Sequence, residues 1–207
     1  MGIVIYDSFT DVDGTLLQNH TPEIGGRWQS LLGGIKIQSN AAVWNNGVGY
    51  YQNLTPMLGP EYDISFSIDA VTDNTTAQFH VYGRFEPFTN NFYDFYYDGT
   101  IKTWILTRRL NGIDSVLATV VQAIGTDLRR VRIEIRDSKK AVFLDGIEIL
   151  SSANNDVKDA YRVGMLIPTN TTIALDDFTV VSASELLYSV ELSQSLAVTP
   201  TRVAAYY

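Results

Sequence analysis

The fold is indicated most clearly by the stretch VRIEIRDSKKAVFLDGIEILSS, residues 131–152. Over residues 131–136, apolar side chains alternate with charged ones, a period of two that is typical of a half-buried β-strand. SKK then makes a short polar turn, AVFL is a second strand, and Asp145-Gly146 is a hairpin signal before a third strand, IEIL. The stretch therefore predicts a three-stranded antiparallel meander.

The rest of the chain repeats this pattern. YDISFSIDAV, residues 62–71, alternates in the same way, and the turn Asp98-Gly99 joins two further strand-like segments. Roughly a dozen short strands, with turn signals about every 8–12 residues, predict an all-β fold, an antiparallel two-sheet β-sandwich of jelly-roll type. Residues 1–180 show no convincing helix, whereas a parallel α/β fold would need helical crossovers.

Composition excludes several classes of function. The 207 residues carry a formal net charge of −8 and include no cysteine. Disulfides, thiolate metal sites and a cysteine nucleophile are therefore excluded. Basic residues are scattered apart from the run at 129–132, so we expect no nucleic-acid partner. No segment reaches the ~18 apolar residues of a membrane span and no signal peptide is visible, so we expect no membrane partner.

Two parts of the chain resemble a known family, the concanavalin A-like (laminin G-like) jelly-roll modules. The matching positions are Asp7, Phe9, Asp13, Gly14 and Trp28 in the opening stretch, the hairpin at 144–146 and the closing strand at 173–178. The resemblance covers roughly residues 5–181. It implies that the first and last strands lie close together, which would bring Asp7 near Asp176 and Asp177.

The resemblance implies more than one function. Such modules resemble parts of bacteriophage virion proteins and of secreted glycan-binding proteins. The missing cysteines, the lack of a visible signal peptide and the extra C-terminal stretch favour a non-catalytic virion structural or decoration protein, located in the virion. Its partners would be other virion proteins or further copies of itself in a homo-oligomer. Two alternatives stay open: a carbohydrate-binding module for attachment to surface glycans, and a glycoside hydrolase.

The chain is predicted to divide into a jelly-roll sandwich at 1–181 and a C-terminal arm at 182–207. The arm is too apolar to suit an exposed tail, so it either packs on its own domain or docks on a neighbouring subunit or another protein. The candidate assembly contacts in the arm are Leu186, Leu187, Tyr188, Val190, Leu192, Tyr206 and Tyr207.

The aromatic-rich stretch at 79–104 is the candidate ligand surface. Alternation assigns about half of its rings to the core, and the others are predicted to share the opposite face. Aromatic rings with polar neighbours suit sugar recognition and protein interfaces equally well. Outward tyrosines are also explained by β-propensity alone. The candidate contacts are His80, Tyr82, Arg84, Tyr93, Tyr97 and Trp104.

No catalytic residue is predicted. Retaining glycosidases need two carboxyl groups about 5–5.5 Å apart. Asp63 and Asp69 lie six residues apart on one strand, whereas Asp94 and Asp98 are four apart but Asp98 belongs to a turn. Of the two histidines, His20 is expected to be solvated in a polar loop.

No cofactor is expected, and calcium is the one ion that the sequence leaves open. Asp11 and Asp13, followed by a glycine, match the start of a calcium-binding loop whose later ligands are missing. They are the leading candidate metal ligands, and a plain Asp-Gly turn explains them as well. Asp176 and Asp177 are a second candidate, although on a strand they point to opposite faces, so at most one of them could join a site.

Overall fold

The computed structural model describes residues 2–57, 59–70, 76–86, 88–158, 162–169 and 171–183. The described residues form β-strands joined by turns, with one 3₁₀ turn at Leu17–Asn19. The strands are β1 (Gly2–Asp7), β2 (Trp28–Leu32), β3 (Ile35–Gln38), β4 (Ala41–Trp44), β5 (Gly49–Asn53), β6 (Tyr62–Ala70), β7 (Gln78–Glu86), β8 (Asn91–Asp98), β9 (Thr103–Leu110), β10 (Ile113–Val121), β11 (Arg129–Ile135), β12 (Lys140–Leu144), β13 (Ile147–Ser152), β14 (Arg162–Ile167) and β15 (Ile173–Ser182). The candidate assembly contacts at 186–207 lie outside the described residues.

The strands form two antiparallel sheets with the core between them. Sheet A has the order β13-β12-β11-β6-β15-β4-β3, with β1 also paired to β15. Sheet B has the order β10-β9-β8-β7-β14-β5-β2. The predicted two-sheet β-sandwich of jelly-roll type is confirmed.

The core is built from alternate residues of each strand, as a half-buried sheet requires. The meander pairs as predicted, β11 with β12 and β12 with β13, and Val131 and Ile133 are buried. Ile135 reaches across to sheet B, where a Cβ atom at Gly83 would lie 2.1 Å from its Cδ1 atom. A side chain at position 83 would therefore displace the end of the Ile135 side chain at this point of contact between the sheets.

The first and last strands pair, which confirms the arrangement implied by the resemblance. Asp7 on β1 lies opposite Phe178 on β15. β15 is irregular between Asp176 and Thr179, where Asp177 adopts a left-handed conformation with a φ of 52°. Such a bulge re-aims the side chains around it. The division of the chain into a domain and an arm stays a prediction.

The predicted face assignment of β8 is wrong. Tyr93 and Tyr97 are buried in the core between the sheets, and so is Trp104 on β9. The side chains that face outward from β8 are those of Phe92, Asp94, Tyr96 and Asp98, which alternate with the buried ones. An assignment displaced by one residue exchanges the two faces of a strand.

Hydrogen bonds to distant loops allow these amphipathic rings to face inward. Tyr93 Oη donates to Asn154 Oδ1 at 2.9 Å, and Trp104 Nε1 donates to the Gln122 carbonyl at 3.1 Å. The backbone N–H of Ile124 donates to Tyr97 Oη. A buried tyrosine or tryptophan is stable when its polar atom finds such a partner.

Arg84 is also buried, so it too is absent from the predicted ligand face. It lies at an irregularity in β7, with a φ of 48°. Its guanidinium donates to the carbonyl groups of Pro60 and Val157 and to Asn155 Oδ1, and it pairs with Asp137. Through these contacts, the buried side chain of Arg84 connects three loops to sheet B.

Lys140 belongs to the same buried cluster. Its Nζ atom lies 3.0 Å from Asn155 Oδ1 and 4.9 Å from the centre of the Tyr93 ring. Burial lowers the pKa of Lys140 to about 8, and the nearby charge of Arg84 acts in the same direction. The charged form of Lys140 is therefore less favoured in the folded chain than in the unfolded chain.

We expect the wild-type chain to gain stability relative to a Lys140→Met variant as the pH rises from about 8 to 10. In this window the folded lysine has lost its proton while the unfolded lysine, with a pKa of 10.5, keeps it. The free energy of unfolding should then rise by about 2 kcal/mol relative to the variant. Urea unfolding at a series of pH values measures this difference, and a difference that is constant or falls would contradict it.

Candidate functional site

The outer face of sheet B carries a second apolar cluster, separate from the core. Its buried members are Tyr82, Phe85 and Phe92, and Tyr50 and Leu166 pack against them. The rings of Tyr82 and Phe92 meet edge to face at 4.8 Å, and those of Tyr50 and Tyr82 at 5.2 Å. This face therefore has an ordered apolar base rather than a layer of independent solvated side chains.

A polar pair lies beside this apolar base. His80 Nδ1 is 3.1 and 2.9 Å from the two carboxylate oxygens of Asp94. The His80 ring stacks on Tyr96 at 4.6 Å with an interplanar angle of 17°, and Tyr82 lies 6.2 Å away. The side chains of His80 and Asp94 are 22% and 12% exposed, so both are largely desolvated yet reachable. We call His80, Tyr82, Asp94 and Tyr96 the His80 cluster.

The His80 cluster offers several hydrogen-bonding atoms to a ligand. Because an ionised carboxylate only accepts, His80 Nδ1 donates to Asp94 and its Nε2 atom is left without a partner among the described residues. Burial raises the pKa of Asp94, although the charge and hydrogen bond of His80 oppose this. Burial and the charge of Asp94 raise the pKa values of Tyr82 and Tyr96, so both phenols stay protonated and can donate.

Only two of the six predicted ligand residues lie in this cluster, His80 and Tyr82. Arg84, Tyr93, Tyr97 and Trp104 are buried elsewhere in the sandwich. That His80 and Tyr82 bind a ligand stays a prediction.

The sequence-based prediction missed Asp94 and Tyr96. The alternation of Phe92, Asp94 and Tyr96 carries the signal that could have found them, since every second residue of a strand shares a face.

The candidate calcium ligands do not converge. Asp11 Oδ2 lies 3.0 Å from His20 Nδ1, whereas Asp13 accepts from the backbone N–H of Ser39 and from Gln38 Nε2. The described ranges contain no group of three or more His, Asp or Glu side chains that could hold a metal ion. Calcium binding stays a prediction.

His20 is buried, so the expectation that it is solvated is wrong. Its Nε2 atom lies 2.9 Å from Asp7 Oδ1, and Trp28 Nε1 donates to Asp7 Oδ2 at 2.6 Å. Burial lowers the pKa of His20, but hydrogen bonds and charges from Asp7 and Asp11 outweigh it, and the net shift is upward. The imidazolium therefore holds the opening loop to β1.

The two carboxyl groups on β8 that have the spacing of a catalytic pair are both engaged by protein groups. Asp94 and Asp98 share the outer face of sheet B. Both oxygens of Asp94 lie near His80, and Asp98 accepts from Gln78 Nε2 at 3.2 Å and from the backbone N–H of Thr100 at 2.9 Å. Nothing in these contacts distinguishes a proton donor from a nucleophile.

Another groove, of about 450 Å³, lies at the tip of the β7–β8 hairpin beside Phe88, which is 93% exposed. Its two acidic side chains already have partners. Glu86 accepts from the backbone N–H of Phe88, and Asp156 pairs with Arg108. The rest of the lining includes Lys158, Leu110 and the exposed Phe88 ring.

No protein-family model and no curated sequence matches the chain. Solved structures do match. The carbohydrate-binding module CBM66 of Bacillus subtilis aligns over 77% of this chain and 98% of its own, with 15% identity and a TM-score of 0.64. The chain has a concanavalin A-like β-sandwich.

Two further solved structures have the same architecture. A Bacillus licheniformis β-glucanase aligns over 88% of this chain and 98% of its own, with 10% identity and a TM-score of 0.61. The exoplasmic/lumenal domain of VIP36, solved with Ca²⁺ and Man3GlcNAc, aligns over 77% and 87%, with 9% identity and a TM-score of 0.58. At these identities the likeness establishes the fold.

Within the described residues, no helix has the length and apolar character of a membrane span.

We expect His20 to titrate above the ordinary histidine pKa of 6.5. A group whose pKa is raised by folding contributes stability below its unfolded pKa and loses it as the pH rises through its folded pKa. The stability of the wild-type chain should therefore fall more steeply above pH 6.5 than that of a His20→Gln variant. An NMR titration of the imidazole checks the pKa directly, and a midpoint below 6.5 would refute the prediction.

Proposed function

We propose that the chain is a non-catalytic carbohydrate-binding protein and that the His80 cluster on the outer face of sheet B contacts the sugar. The observation that carries the proposal is the His80–Asp94 pair held between tyrosine rings. It presents a fixed ring nitrogen and two protonated phenols beside an apolar base. A sugar needs this combination, because it has apolar C–H faces and many hydroxyl groups.

The geometry favours recognition through the edges of the rings. The His80 ring stacks on Tyr96 at 4.6 Å and lies nearly parallel to Tyr82 at 6.2 Å, so one face of the imidazole is covered by Tyr96. The exposed edges carry Nε2 and the phenol hydroxyls, which suits hydrogen bonding to sugar hydroxyls. Because Asp94 fixes the imidazole, little side-chain freedom would be lost on binding.

The fold supports the same proposal. The matching structures include one named as a carbohydrate-binding module and one solved with Man3GlcNAc. The β-glucanase shares the architecture too, so the test has to include turnover as well as binding.

A virion location and a homo-oligomeric state remain predictions that rest on the sequence resemblance. Glycan binding depends on neither of them, and it agrees with a role in host attachment. The comparisons favour the carbohydrate-binding alternative over the virion structural role with which the sequence prediction began.

A glycan array followed by calorimetry tests the proposal. For a neutral glycan that binds, Tyr96→Phe removes one hydroxyl and should weaken affinity by about three- to tenfold, the usual effect of one hydrogen bond. The matched control is Tyr6→Phe, because Tyr6 lies on the other sheet. We expect it to leave affinity unchanged.

Three outcomes would contradict the proposal. One is that no glycan on the array binds. Another is that Tyr6→Phe weakens binding as much as Tyr96→Phe, which would move the site to sheet A. Release of new reducing ends from a bound glycan would instead make the protein a hydrolase.

A further inference from the structure

The outer face of sheet A contains a groove that the proposed glycan site does not use. It has a volume of about 430 Å³. A smaller groove of about 140 Å³ continues it and shares two of its lining residues, Ser65 and Arg132. Together they run along β6, on the opposite side of the sandwich from the His80 cluster.

The strand register explains why a groove forms here. Ser65 lies opposite Arg132 of β11 on one side and Thr179 of β15 on the other, and Thr179 lies opposite Tyr6 of β1. Short hydroxyl side chains thus occupy the middle of the row, and long side chains stand at its ends. Cross-strand neighbours have Cβ atoms only about 5 Å apart, so the long side chains form walls above a serine floor.

The next row repeats this arrangement and adds another serine. Ser67 lies opposite Arg130 on β11 and Asp176 on β15. Ser67 is only 3% exposed as a whole residue, yet it lines the groove, and no hydrogen bond joins its hydroxyl to another of the described residues. This hydroxyl can therefore donate to a group that enters the groove.

The wall formed by β11 is cationic. The guanidinium of Arg130 forms no ion pair with any residue in the described ranges. Arg132 has only long contacts to Asp63 and Glu134, at 3.6 and 3.8 Å, and lies 3.7 Å from the centre of the Phe143 ring. Stacking on an aromatic ring fixes a guanidinium and leaves its edge N–H groups available.

The opposite wall has different chemistry. It is formed by Tyr6 and by Asp177, whose backbone is turned by the bulge in β15, and the Thr179 hydroxyl lies at its base. A phenol ring, a hydroxyl and a carboxylate are groups that accommodate sugar C–H faces and accept from sugar hydroxyls. The groove therefore has a cationic wall, a hydroxyl floor, and a wall suited to a polyhydroxylated ring.

We propose that this groove is a second binding site, specific for an acidic saccharide whose carboxylate or sulfate lies between Arg130, Arg132 and the serine floor. Arg130 makes the charged hydrogen bonds, Ser67 donates its hydroxyl to the same anionic group, and Asp177 accepts from the sugar hydroxyls. Arginine pairs with carboxylate and sulfate in a forked geometry that a neutral sugar cannot satisfy. The site does not depend on the His80 cluster.

The test compares three probes: a hexamer of galacturonate, a neutral hexasaccharide and inorganic sulfate. We expect the acidic hexamer to shift the NMR amide signals of Ser65, Ser67 and Thr179, and to bind at least about tenfold more tightly than the neutral one. Arg130→Gln should weaken the acidic hexamer by about tenfold, and Ser67→Ala by about threefold.

Two control variants establish whether the acidic hexamer binds in this groove. Arg27→Gln removes the same charge from an exposed arginine next to β2, in the other sheet, and should leave affinity unchanged. Tyr96→Phe should also leave it unchanged, which separates this site from the proposed glycan site. Thermal unfolding of each variant confirms that it is folded.

Several results would overturn the proposal. Equal weakening by Arg130→Gln and Arg27→Gln would mean non-specific attraction between charges. Amide shifts confined to sheet B would place the acidic hexamer on the other face. If sulfate alone binds as tightly as the acidic hexamer, the groove is a simple anion site and does not recognise the sugar. If the neutral hexasaccharide binds as tightly as the acidic one, the arginines do not select for an acidic group.

Discussion

Much of this structure depends on the requirement that the polar atom of each buried aromatic side chain finds a hydrogen-bond partner. Tyr93 and Trp104 meet this requirement in the loops at 154–157 and 122. Those contacts hold the loops against the sandwich and let the rings fill the space between the sheets. They also fix which side of β8 faces inward. Asp94 and Tyr96 are consequently on the outer face of sheet B.

The same requirement shapes the polar groups of the outer face. A carboxylate as desolvated as that of Asp94 is costly unless it is paired, and His80 provides the partner. The pair is held rigidly because Tyr96 stacks on the imidazole. Alternate residues of β8 thus have two functions: one set packs in the core of the sandwich, and the other set provides the proposed ligand-binding groups.

The two outer faces of the sandwich have different chemistry. Sheet B presents aromatic rings with a few desolvated polar atoms. Sheet A presents arginines and acidic residues that pair across strands, as Arg136 does with Asp63, around a central trough of serines. The two proposed saccharide sites therefore lie on opposite faces of the sandwich and differ in the charge of the sugar that each would select.

The sequence by itself determined the fold class, the meander and the pairing of the strands around Asp98-Gly99, because period-two alternation and turn residues are local signals. The closeness of the first and last strands followed from the family resemblance. Aromatic residues occupy both parities of FYDFYY, so the distribution of aromatic rings left the faces of β8 open, although Asp94 and Asp98 mark one parity as the more polar one. Only the tertiary structure decided between them. It brought Asn154 to Tyr93, 61 residues away in the chain, and it folded the opening loop so that Asp7 and Asp11 contact His20, and no local pattern encodes these contacts.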